Sequence, residues 1–217
     1  MEWGLAWGLL AVVLIALVIA YAVIQETRAQ RHWRALVKAG DIDAIRTIVE
    51  SEVNRWRTER MPRGVLPSVW HGVQTAELIE VGTDHVRVGC SAEGQYAVVG
   101  HRREEVSSAL REAMKLTVKL ADMLLYDIPN VELERVQVDA YTTFRGRSGA
   151  ANQRCILSTV VRRSEARGLD WDETPPEEIV ARFGGRFQVD RQGHAQPIDP
   201  DEEAVEAGPP SEEAQVR

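Results

Sequence analysis

Between Trp3 and Ile24 the chain carries no charged residue and no proline over 22 consecutive positions (WGLAWGLLAVVLIALVIAYAVI). As a helix rising ~1.5 Å per residue, that run reaches about 33 Å, against the ~30 Å hydrocarbon core of a bilayer. A helix closes its own backbone hydrogen bonds, as lipid requires of any spanning segment. Trp3, Trp7 and Tyr21 fall toward its two ends, where amphipathic rings favour the interface. A cleaved signal peptide needs a basic residue before the apolar core, and only Met1 and Glu2 stand there. The sequence therefore predicts a single-pass anchor over 1–24 with the lipid bilayer as its first partner.

The flanks predict orientation. Arg28, Arg31, Arg34 and Lys38 follow the span, and no base precedes it. By the positive-inside rule the C-terminal domain is expected in the cytoplasm, at the cell membrane. On a continuing helix these four bases share roughly 120° of arc, a stripe suited to anionic headgroups.

The net charge of −7 is concentrated at the other end, where Asp199 to Arg217 holds −6 of it. The remainder is nearly neutral, so no basic face is expected and nucleic acid is not an expected partner. That acidic stretch, with its prolines and few apolar residues, is expected to form a disordered tail over 198–217. Residues 25–60 read as juxtamembrane helices and 61–197 as a soluble α+β domain.

Gly40 is a natural helix stop and Asp41 a natural N-cap. The following Ile42, Ile45, Val49, Val53 and Trp56 keep helical spacing up to Pro62. Residues 61–72, punctuated by Pro62, Gly64 and Pro67, read as a loop carrying Trp70 and His71. Val86, Val88 and Cys90 alternate as a strand, a turn over 92–95 follows, and 96–101 is expected to return as its partner.

A long helix is expected over 103–127, then strands over 131–145 and 154–163 joined by the polar GRSGAANQ. A bulge near Glu134 or Arg135 reconciles the two apolar phases of the first. Thr174-Pro175-Pro176 is expected to open a short helix with a threonine cap, and a last strand over 186–190 follows. Without its first strand this order is βαββαβ, which suggests an antiparallel, ferredoxin-like sheet with helices on one face.

No GxSxG, P-loop, HExxH, EF-hand or strand-linked GxGxxG occurs. The five histidines (His32, His71, His85, His101, His194) share no ligand spacing, so neither metal nor cofactor is expected. Cys90 and Cys155 each lie in an apolar stretch, the habit of buried thiols. Candidate ligand or partner residues are Asp139, flanked by Val138 and Ala140 on a strand, Arg154 and Arg162 on the next, and Trp70 and His71 in the loop.

A buried Asp139 needs a cationic partner, and Arg154 or Arg162 is expected to supply it. These features predict a membrane-anchored interaction or assembly domain that binds a protein partner. The alternative is a membrane-bound enzyme or ligand sensor with a site around Asp139 and the second hairpin.

Overall fold

The computed structural model describes residues 14, 15, 17–21, 35–145 and 150–201. Most of the expected span at 3–24 lies outside these residues, as do Arg28, Arg31 and Arg34. Among the described residues no helix is long and apolar enough to cross a membrane. Residues 14, 15 and 17–21 are helical, and Leu14, Ile15, Leu17, Val18 and Ile19 each expose more than half their surface. Lys38 sits on a helical turn over 35–38, which Gly40 ends at φ 75°.

Helix α1 (Ile42–Thr58) starts as read: Asp41 Oδ1 accepts from Ala44 N at 3.1 Å, and Ile45, Val49, Val53 and Trp56 are buried. The expected loop over 61–72 instead gives way to helix α2 (Pro67–Gln74), with proline in its first turn and Val69, Trp70 and Val73 buried. Proline fits there because the first-turn N–H groups have no intrahelical acceptor.

Four strands form the main sheet in the order β1 (Glu77–Val81), β2 (His85–Ser91), β5 (Arg135–Arg145), β6 (Ala151–Arg162). β1–β2 and β5–β6 are antiparallel, but β2 and β5 run parallel and adjacent. This corrects two expectations: the sheet is mixed, and the ferredoxin-like order fails because no strand separates the pair joined by the long helix. The partner of β2 is β1, which the sequence reading did not include. Residues 95–99 form β3 (Gln95–Val99), which pairs with β4 (Arg102–Ser107) in a separate hairpin outside the main sheet.

The long helix, α3 (Ala109–Tyr126), therefore starts six residues later than expected, where the Ser108 side chain accepts from Arg111 N at 3.3 Å. It packs on β5 and β6, with α2 against its flank. Val86, Val88, Val136, Val138 and Ala140 face this helical layer and are buried. The expected bulge at Glu134 or Arg135 is the end of a loop: Asp84 O accepts from both N–H groups, and β5 begins at Arg135. The true irregularity lies opposite, where Tyr141 pairs with Cys155 and Ala140 with Leu157. The extra residue lets neighbouring Ile156 and Leu157 both enter the core.

After β6 come α4 (Arg163–Ala166) and α5 (Pro176–Arg182), whose N-cap is Pro175 without a side-chain cap bond. The expected threonine cap is not used. Of the strand expected over 186–190, only β7 (Gln188–Val189) forms, paired with β8 (Ala195–Gln196), while Arg186 makes a single bridge to Ser158 on the β6 edge.

The layer of helices closes at Gly72, where an added Cβ would stand 2.5 Å from Leu116 Cδ2 and 2.9 Å from Cδ1. Leu116 is 1% exposed and has little room to yield. Gly72→Ala is expected to lower stability by about 1–3 kcal/mol through overpacking, measured by urea unfolding. An unchanged midpoint would show that the α2–α3 contact is loose.

Candidate functional site

On the face away from the helices, the sheet centre is polar. Asp139 lies in the middle of β5 with no exposed surface. Its register partners are Gly89 on β2 and Ser158 on β6. Ile79 and Tyr141 close over Gly89, and Arg87, two positions earlier, reaches diagonally across to the carboxylate. Arg87 Nε donates to Asp139 Oδ2 at 2.6 Å. Ser158 Oγ donates to Oδ1 at 2.6 Å and Gln137 Nε2 to the same oxygen at 3.1 Å. Both oxygens are thus engaged, as a buried carboxylate requires.

A second carboxylate, Asp201, also pairs with the Arg87 guanidinium. Burial works against the Arg87 charge, but its hydrogen bonds to Asp139 and Asp201 outweigh that and hold its pKa above the ordinary arginine value. Residues 198–201, which the sequence reading assigns to a disordered tail, bring Asp201 there. Ile198 N donates to Cys155 O at 2.9 Å, and Arg186 Nη2 donates to Pro200 O at 2.6 Å. Residues 202–217 lie outside the described residues.

Cys155 faces this side and is 3% exposed; burial, with Asp139 nearby, pushes its thiol up to about 12. Cys90 belongs to the core cluster on the helical side, and burial raises its pKa as well. Both thiols are free.

The other sequence candidates do not gather here. Arg162 is exposed and pairs with Glu165 at 3.1 Å, while Arg154 is exposed opposite Thr142. The expected pairing of either with Asp139 is therefore replaced by Arg87, from the strand on the other side of β5. Trp70 is buried, its Nε1 donating to Glu59 O at 3.3 Å, which ties α2 to the end of α1. His71 is exposed beside a hollow of about 80 Å³. Arg87 was readable as a charge between Val86 and Val88 on a predicted strand. What the sequence lacked was the parallel neighbour that places it beside Asp139.

On the helical side, a cleft of about 1130 Å³ runs between the end of α1, the 62–66 loop, α3 and Trp171. Trp171 stacks on Phe183 at 6.5 Å and meets Tyr126 edge-on at 6.2 Å. Among the described residues no three His, Cys, Asp or Glu side chains could hold a metal ion. The chain matches no known protein family, no curated protein and no solved structure.

Two outcomes are expected. In urea unfolding, Arg87→Ala strands a buried carboxylate and should cost about 3–5 kcal/mol, whereas Arg154→Ala and Arg162→Ala should stay within about 0.5 kcal/mol. Equal effects would return the pairing to β6.

Asp127 caps the C-terminus of α3, where the helix dipole disfavours a negative charge, and its pKa is raised by burial and by Asp122. A raised carboxyl pKa costs stability above its folded value, and that cost disappears as pH falls below the unfolded value. Asp127→Asn should therefore raise Tm at pH 7 and leave it unchanged near pH ~3, by thermal melts at both. A lowered Tm at pH 7 would contradict this.

Proposed function

We propose that this chain is a single-pass membrane-anchored protein whose cytoplasmic α+β domain serves interaction or assembly rather than catalysis. The anchor is supported by the uncharged run at 3–24 and by the exposed apolar side chains of its described helical residues. The orientation rests on the bases at 28, 31, 34 and 38.

The observation that carries the interaction reading is the β3–β4 hairpin. It leaves the sheet after Ser91, at the end of β2 away from Thr83, and Thr83 is the neighbour of Gly40, where the N-terminal segment joins. Val98 is 77% exposed, Val106 64%, Val99 56% and Tyr96 50%. Tyr96 and Val98 share one face of β3 and Val99 lies on the other, so the hairpin presents apolar side chains on both faces at the end remote from the anchor, surface that a partner would remove from water. The alternative, an enzyme or sensor centred on Asp139, is opposed by a carboxylate with both oxygens already hydrogen-bonded within the fold.

Alkaline carbonate is expected to leave the full-length chain in the membrane, and protease added outside intact cells to leave the domain uncut. Release by carbonate would overturn the anchor, and cleavage the orientation. In mild detergent extracts the chain should run in a complex larger than itself. Val98→Asp with Val106→Asp should dissociate that complex while changing stability by only about 0.5 kcal/mol. A native chain already running alone, or a complex unaffected by the substitutions, would defeat the interaction reading.

A further inference from the structure

Ile198 is fastened to Cys155 on β6, and Asp201 to Arg87 on β2. Since β5 lies between those strands, the segment Ile198–Asp201 crosses the sheet face directly over Asp139 and Tyr141. The segment turns at its acidic end, where Asp201 N donates to Asp199 Oδ1 at 3.0 Å, and the Asp201 and Arg87 side chains cover the remaining distance.

The strap is held by few groups. Among the described residues its polar attachments to the sheet and to Arg186 are one main-chain N–H, one main-chain carbonyl and one carboxylate. None of its four residues is itself buried, and the Asp201 side chain is 72% exposed. Beneath it the opposite holds, with Asp139 at 0%, Ser158 at 2% and Cys155 at 3% exposure. Farther along the sheet lies a hollow of about 430 Å³, lined by Ile79, Gly89, Ser91, Tyr141 and Gln153, to which none of the four strap residues contributes. A segment with few buried contacts of its own, lying over a preformed polar floor, opens at lower cost than the fold as a whole.

We propose that this sheet face is a binding groove for a short acidic peptide of a protein partner, filled here in cis by Ile198–Asp201. The floor selects for that chemistry. Arg87, fixed from below by Asp139, presents its guanidinium to a carboxylate, the pairing for which arginine's planar donors are suited. The Cys155 carbonyl takes a peptide N–H three residues before that carboxylate, and Arg186 takes a carbonyl between them. Two of these three contacts are to main chain, so a segment of another sequence that makes the same turn and carries an acid in the Asp201 position satisfies them. An acid from a partner competes with the tethered one, and the hollow beside Tyr141 receives a further side chain of the incoming peptide. This groove is separate from the β3–β4 hairpin, and either reading can fail without the other.

The two cysteines supply the test, since Cys155 lies under the strap and Cys90 in the helical core. The full-length chain in detergent is treated with N-ethylmaleimide, and labelling of each thiol is followed by mass spectrometry. Asp201→Ala should speed labelling of Cys155 about threefold to fivefold, the range an exposed ion pair is worth, and leave Cys90 unchanged. A synthetic peptide of residues 196–203, added at millimolar concentration against the tethered segment, should restore protection of Cys155 in that variant. The same peptide with asparagine in place of its Asp201 should not.

A Cys155 rate unmoved by Asp201→Ala would show that the strap is not latched there. Both thiols accelerating together would mean global opening. Failure of the acidic peptide to protect, or equal protection by the asparagine peptide, would make the strap a fixed part of the fold. Each of these results overturns the proposal.

Discussion

A carboxylate removed from water in the middle of a sheet must be compensated where it sits, and Asp139 imposes that condition on this domain. Leaving a buried charge unpaired costs several kcal/mol, of the order of a whole domain's margin of stability. The compensation comes from three strands at once: Arg87 on β2, Gln137 on β5 itself and Ser158 on β6. The parallel pairing of β2 with β5 is thus more than a topological detail. It puts Arg87 beside Gln137, within diagonal reach of Asp139. A slip of one residue in either register would turn the charges toward the helices and the valines toward Asp201.

The two faces of the sheet follow from that arrangement. Valines at 86, 88, 136 and 138 alternate with Arg87, Gln137 and Asp139, so one face builds an apolar core under α3 while the other needs polar cover. The chain supplies some of that cover itself. After α5 it returns along the β6 edge through the Arg186 bridge and then crosses the polar face at 198–201. Arg87 consequently serves two carboxylates, one sealed in and one open to solvent. That asymmetry lets the same residue act as a structural partner on its inner side and a recognition group on its outer side.

Local signals in the sequence were reliable where one interaction decided the outcome. The Asp41 cap, the Gly40 stop and the 45, 49, 53, 56 stripe of α1 are such cases, as is the alternation of β2. Legibility failed where a distant element decided. Residues 67–74 carry proline and glycine and look like loop, yet they are helical because Trp70 and Val73 are buried and Gly72 fits against Leu116. The strand at 77–81 shows little alternation because it is an edge strand with a register shift. At the candidate site, Asp139 was visible from its apolar neighbours, but its partner was not. Adjacency in a sheet is set by the β2–α3–β5 crossover, which leaves no trace in the spacing of charges. The acidic segment misled for a related reason: composition describes how a stretch behaves alone, not that one aspartate in it meets an arginine 114 positions earlier.

If the pair at the sheet centre governs this architecture, its two members must be energetically coupled, and a double-mutant cycle measures that directly. The full-length chain, Asp139→Ala, Arg87→Ala and the double variant are unfolded in urea under one set of conditions. The double variant is expected to lose less stability than the two single losses combined, with a coupling of about 1.5–3 kcal/mol, because the charge stranded by each single change is absent from the double. Losses that simply add would mean that Arg87 and Asp139 act independently, and the central role given to their pairing would be wrong.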